Sequence, residues 1–222
     1  MRIYTAYSPS HEVFKPWFKT IYEVHPDIDI KYYTLQQHCP TAEFSSNGWN
    51  KTTGEKLEKI LQIFDDYDEV NYFIFSDIDV QFFRPIREYA ALLKQYDVVF
   101  QNDYGPLGSQ QCTGFFYCKK SNETRKMFAK ALEINHNYRD DQESVQQALQ
   151  LCNVKHSLLS QEFFTYGMFW KEQWLGDHFD IPPKFNIPKN IAIHHSNWVK
   201  GLRDKLELLQ IVRNNYNEGR FL

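Results

Sequence analysis

No apolar run in this chain approaches the roughly 20 residues that cross a bilayer as a helix, and no charged-then-apolar leader precedes the strand-like opening Arg2-Ile3-Tyr4-Thr5. The expectation is a soluble, cytoplasmic protein without a membrane span. Basic charge is not in excess either: 25 Lys and Arg face 28 Asp and Glu, a net charge of −3, which leaves no field to gather nucleic acid. Cysteine is scarce, and Cys39, Cys112, Cys118 and Cys152 show neither C-x-x-C pairs nor histidines at zinc-ligand spacing. They read as reduced thiols, with a disulfide left open. Neither a P-loop nor G-x-G-x-x-G occurs, which removes the usual glycine-rich cradle for phosphates. Asn50-Lys51-Thr52 and Asn122-Glu123-Thr124 fit the glycosylation acceptor pattern but, with no leader, are expected to be chance matches.

What the chain does have is apolar and aromatic material. Its 222 residues are 42% hydrophobic and 17% aromatic, enough to bury a large core within one domain, taken as residues 1–222. Ile3 to Ala6 reads as a strand, followed by Val13, Trp17, Phe18 and Ile21 at helical spacing. A second strand is expected over Asp29 to Leu35, then a polar loop and a helix carrying Leu57, Ile60, Leu61 and Phe64 on one face. Strands are expected again at Tyr72–Phe75, Asp97–Phe100, Gly114–Tyr117 and Ile191–His195. Between them lie helices around Ala90–Gln95, over Asn122–Leu132 and over Asp141–Leu151. Gln161 to Pro188 is aromatic and Pro-rich without period and reads as a long ordered loop. This alternation predicts an α/β domain with a mainly parallel central sheet flanked by helices, its ligand crevice outside the carboxyl ends of the strands.

Candidate functional residues fall at those ends. Asp77 and Asp79 follow the apolar run Tyr72-Phe73-Ile74-Phe75, where both side chains can turn to one point once the strand gives way to a loop. Their hard oxygens suit Mg²⁺ or Mn²⁺; a solvated Asp-x-Asp turn has the same pattern. His195, after Ile191-Ala192-Ile193, can offer a neutral imidazole to such a cation or serve as a structural histidine, and His194 should face the other way. Around Gly201, Lys200, Arg203 and Lys205 offer cations to a diphosphate or form a solvated helix start. Thr5-Ala6-Tyr7 is the expected base and ribose contact, with Tyr7 as stacking platform or packed loop aromatic.

Ile74-Phe75-Ser76-Asp77-Ile78-Asp79-Val80 resembles the Asp-x-Asp strand end of GT-A nucleotide-diphospho-sugar glycosyltransferases. The similarity continues through Gln101-Asn102-Asp103, Thr113-Gly114-Phe115-Phe116, Asp140-Asp141-Gln142 and His195-Ser196-Asn197-Trp198. The resemblance implies a GT-A (Rossmann-like) fold and a UDP-sugar donor, with glucose first, carried to a glycan or other hydroxyl acceptor with retention. It implies a metal shell of Asp77, Asp79 and His195, and donor contacts from Lys56, Thr53 one turn before it, Ile78, Gly201 and Lys205. Asp103 and the Thr113-Gly114 turn would hold the sugar, and Asp141 with Gln142 would face the anomeric carbon. The family usually has Asn where Thr113 stands. The acceptor would enter beside Tyr166, Trp170 and Trp174. Compact soluble enzymes of bacteria or of large algal viruses are the nearest in kind.

Two rivals come from other classes. Asp77-Ile78-Asp79-Val80 also resembles the opening of haloacid-dehalogenase-type phosphatases, with Asp77 as nucleophile and Gly176-Asp177-His178-Phe179-Asp180 as a distal acidic motif, yet two βα units precede it here. A non-catalytic sugar-nucleotide-binding protein would keep the fold without turnover.

Overall fold

The computed structural model describes residues 1–40, 44–66, 70–105, 108–167, 176 and 179–222. Nine strands are named among them: β1 (Arg2–Tyr7), β2 (Asp29–Thr34), β3 (Tyr72–Asp77), β4 (Val80–Phe82), β5 (Val98–Gly105), β6 (Gly108–Lys119), β7 (His156–Leu158), β8 (Phe163–Thr165) and β9 (Ile193–His195). A six-stranded sheet has the order β2-β1-β3-β6-β5-β7. Its pairs are parallel except for those of β6, which runs against β3 and β5. A smaller sheet, β4-β9-β8, lies beside it.

Alternation along the strands divides the core in two. Ile3, Ile74, Phe115 and Tyr117 face one cluster with Phe14, Phe18 and Ile21. Tyr4, Phe73, Phe75, Phe116 and Cys118 face the other, which is covered by three helices: α3 (Trp49–Ile63), α4 (Asn122–Ile134) and α5 (Asp141–Leu151). Each fully buried Phe contributes about 1.5–3 kcal/mol, which makes this aromatic interior the main source of stability. A third cluster, Phe83, Phe164, Ile187, Leu208 and Val212, joins the small sheet to the C-terminal helix α6 (Leu202–Asn217).

Local chemistry sets the boundaries. Ser121 caps α4 in a reciprocal box with Thr124, whose buried hydroxyl is thereby occupied. Asp140 caps α5, its Oδ1 accepting from the Glu143 amide at 3.0 Å. The helix expected after β1 is broken into the 3₁₀ turn Pro9–Phe14 and two single turns, α1 (Lys15–Phe18) and α2 (Ile21–Val24). Pro16 contributes no amide hydrogen there, and the Thr20 hydroxyl donates back to the Trp17 carbonyl at 2.6 Å. The Ala90–Gln95 helix is likewise a 3₁₀ segment, Arg87–Lys94. Within the expected loop of Gln161 to Pro188 lies β8, parallel to β9. All four cysteines are unpaired. No helix among the described residues is long and apolar enough to cross a membrane.

Candidate active site

The register Ala6↔Asp77 sets the ends of β1 and β3 side by side at one rim of the large sheet. The chain then turns through Ile78 and Asp79 into β4, which pairs with β9 so that Val80 lies opposite His195. The Ser196 amide donates to the Asp79 carbonyl at 3.0 Å and locks that approach. Asp77, Asp79 and His195 consequently converge, with one ligand atom from each all within 4.8 Å. His195 Nε2 is 3.4 Å from Asp79 Oδ1 and 3.9 Å from Asp77 Oδ2. Two carboxylate oxygens and an imidazole nitrogen form a donor set that suits Mn²⁺ or Mg²⁺.

Gly114 makes room for this convergence. A Cβ there would lie 2.2 Å from His195 Cε1 and 2.9 Å from Asp77 Oδ2, closer than packed atoms come. The Thr113-Gly114 pair falls where β6 bulges against β5: Phe100 faces Phe116, the next residue Gln101 faces Cys112, and Thr113 to Phe115 are left over.

Two lysines sit on the acids. Lys205, from the first turn of α6, bonds Asp79 Oδ2 and donates to the Ser196 carbonyl at 2.8 Å. Lys56, in the middle of α3, bridges Asp77 Oδ1 at 2.9 Å and Asp141 Oδ2 at 3.0 Å. Burial alone would raise the Asp79 carboxyl, but Lys205 and then His195 outweigh it and hold it well below the usual range. At Asp77 burial prevails over Lys56 and His195, Asp79 and Asp141 add to it, and the carboxyl is raised. Burial likewise works against the Lys56 ammonium, yet Asp141 and then Asp77 reverse it and raise its pKa. The four carboxylates Asp77, Asp79, Asp103 and Asp141 outnumber the two ammonium groups, an imbalance that a divalent cation would offset. Asp77 keeps 25% of its side-chain surface open against 7% for Asp79, which makes it the side from which a ligand reaches the pair.

Asp103 is buried on β5 and takes three donors. Oδ1 accepts from Asn197 Nδ2 at 2.9 Å and from the Trp198 indole, and Oδ2 accepts from Gln142 Nε2 at 3.1 Å. Trp198 holds a left-handed φ of 65° to bring its indole there. Burial raises the Asp103 carboxyl, opposed first by Trp198 and then by Gln142.

Other expected residues are placed less directly. Thr53 is buried one turn before Lys56, its hydroxyl turned back onto the Asn50 carbonyl at 3.1 Å. Ile78 points into the core, leaving only its backbone at the rim. Thr5 is fully buried with no partner for its hydroxyl among the described residues, and Tyr7 is buried, packed edge-on against Tyr32 under Lys15. Gly201 starts α6 at φ 82°. His194 turns away from the acids: Gln81 Nε2 donates to its Nδ1 at 3.2 Å, and its ring lies against Phe164. Tyr166 is buried against the Asp180 carbonyl, while Trp170, Trp174, Asp177 and His178 lie outside the described residues. Asn197 and Trp198 as donors to Asp103 were not assigned that role from sequence, because they meet it from more than 90 residues along the chain, and the bulge around Gln101 was missed because it is a mismatch between two strands.

Residues 15–209 match the family described as nucleotide-diphospho-sugar transferase. Among solved structures, a glycosyltransferase involved in glycosylation of the major capsid of PBCV-1 is similar, with TM-score 0.60 at 11% identity over 96% of this chain and 98% of that one. The galactosyltransferase LgtC, in complex with donor and acceptor sugar analogues, gives 0.56 at 13% identity over 98% and 96%. Mouse xyloside xylosyltransferase 1 gives 0.57 at 9% identity over 88% and 97%. At these identities the likeness is one of fold. No curated protein matches the chain in sequence.

Proposed function

Because the chain belongs to the nucleotide-diphospho-sugar transferase family, we propose that it moves a hexose, glucose first, from a UDP-sugar to a hydroxyl of a glycan acceptor with retention of configuration. The observation that carries this reading is the convergence of Asp77, Asp79 and His195 at the rim of the sheet. Those three residues would hold Mn²⁺ or Mg²⁺, which when bound supplies positive charge for the diphosphate that departs. Lys205 and Lys56, already beside the acids, add cations from α6 and α3. Asp103 accepts a hydroxyl of the sugar at Oδ2, where one donor is already placed, and Gln142 is held by that same oxygen beside Asp141. Two structural relatives, one involved in glycosylation of a viral major capsid and one a galactosyltransferase, favour a glycan acceptor and a hexose. Residues 1–222 are read as one catalytic domain.

A thermal-shift and calorimetric screen of UDP-glucose, UDP-galactose and other sugar nucleotides, with and without Mn²⁺, tests this. A donor at 100 times its dissociation constant stabilises by about 2.7 kcal/mol. That gain should require Mn²⁺ and vanish in Asp79→Ala. Binding that is unchanged in the variant, or a screen in which no sugar nucleotide stabilises, overturns the reading.

A further inference from the structure

Gln101 is wholly buried at the step where β5 and β6 lose register, and its amide has one admissible orientation. Its Nε2 donates to the carbonyls of Phe163 at 3.2 Å and Phe164 at 3.3 Å on β8. Carbonyl oxygens only accept, and the amide NH₂ must face them. Turning the amide over would oppose oxygen to oxygen at both carbonyls and forfeit both bonds.

The fixed amide in turn fixes an imidazole. Gln101 Oε1 lies 3.1 Å from His195 Nδ1 and can only accept, so the proton belongs on Nδ1. Cys112 Sγ is farther from that nitrogen, 3.6 Å, and already accepts from the Gly114 amide at 3.4 Å. In the neutral ring the lone pair is then on Nε2, the nitrogen that faces Asp79 Oδ1 at 3.4 Å.

We propose that Gln101 is a positioning residue, which takes its orientation from the two β8 carbonyls and presents His195 with Nδ1 protonated and Nε2 bare toward Asp77 and Asp79. The role in metal binding rests on the function proposed above, whereas the tautomer is a property of the metal-free protein. A hydrogen-bond partner of this kind, acting behind a ligating histidine, alters metal affinity by about 10–100-fold when removed.

The test is ¹⁵N NMR of the His195 ring in the metal-free full chain, followed by Mn²⁺ titration. In the native protein, neutral His195 should show the Nδ1–H form. In Gln101→Met, which keeps the volume and loses the acceptor, the ring should shift to a mixture or to Nε2–H, with Mn²⁺ affinity falling about 10–100-fold. Gln101→Glu with a protonated carboxyl, whose hydroxyl can donate to a β8 carbonyl while the other oxygen accepts from Nδ1, should retain Nδ1–H. An Nε2–H ring in the native protein overturns the proposal without any variant. So does a Met variant with unchanged ring signals and unchanged Mn²⁺ affinity. Nδ1–H in a native protein that binds no Mn²⁺ supports the tautomer assignment and overturns the metal reading instead.

Discussion

Gly114 shows how a residue with no side chain can decide a site. A methyl group there would meet His195 Cε1 at 2.2 Å, His195 Nδ1 at 2.8 Å and Asp77 Oδ2 at 2.9 Å, and His195 has little freedom to withdraw because Gln101 is bonded to its Nδ1. Gly114→Ala should cost about 1–3 kcal/mol of stability through overpacking and abolish Mn²⁺-dependent donor binding. Melting curves with calorimetry check this, and metal-dependent binding at native strength would show that the three ligands do not need to sit this close. His11, on the turn after β1, is a second case. Burial foremost, then the Lys205 ammonium, lowers its imidazole to about 4, with Asp79 pulling weakly upward. Unfolded, the same group titrates near 6.5, so between about pH 6.5 and 4 the unfolded chain holds a proton that the folded one lacks. Stability from this residue is therefore full above about pH 6.5, declines as the pH falls through the window, and levels off below about 4, a loss of about 2–3 kcal/mol. Urea unfolding of the native protein and His11→Asn at about pH 7.5 and 4.5 isolates that loss as the difference between them. An equal decline in both would assign the acid sensitivity elsewhere. Of these residues, the sequence makes Asp77 and Asp79 conspicuous because acids end an apolar run. Gly114 and His11 give no such signal, since what they touch comes from distant parts of the chain.

Elements with a full period were legible, and those with less were not. The apolar run of β3 and the helical spacing of α4 and α5 repeat often enough to be read from sequence, within two residues of the observed bounds at either end. Strand β8 has three residues, too few for a period of two to register, and it exists because it pairs with β9; β9, equally short, was anticipated within Ile191–His195 because an apolar run leads into it. The bulge in β6 left no trace either, because it is a mismatch between two strands and not a pattern within one. Only the start of α6 was anticipated, since Leu208, Leu209 and Val212 form a narrow buried stripe on an otherwise polar helix. Short as it is, β9 makes a sharp prediction, because adjacent strand residues face opposite ways. His195→Ala should remove most Mn²⁺ and donor affinity with the fold intact. His194→Ala should leave affinity nearly unchanged and lower stability by loosening the contact among Gln81, Phe164 and the Leu209 carbonyl. Circular dichroism and titration on both variants separate the outcomes, and equal losses of affinity would mean that β9 does not divide the two roles.

Across the whole molecule, the stereochemistry of transfer depends on which carboxylate remains free, and that is set by helices and strands meeting from every part of the chain. An inverting transferase needs a general base on the acceptor hydroxyl, on the face of the sugar opposite the leaving phosphate. Each carboxylate described at this site already has a partner. Asp79 is held by Lys205 from α6, and Asp77 and Asp141 share Lys56 from α3. Asp103 takes donors from Asn197, Trp198 and Gln142, and Asp140 caps α5 while pairing with Arg139. Asp141 also lies in the first turn of α5, at the positive end of the helix dipole. An acceptor hydroxyl would have to displace Lys56 to reach the Asp141 oxygen it holds, and Gln142 beside it cannot act as a base at all. The arrangement therefore suits a retaining course, in which the acceptor enters on the face from which UDP departs, the phosphate takes the proton, and Gln142 and Asp141 stabilise positive charge at the anomeric centre. Proton NMR of the first-formed product should show the donor's own anomeric configuration. The opposite configuration would refute retention and require Asp103 or Asp141 to leave its present partners and serve as the base.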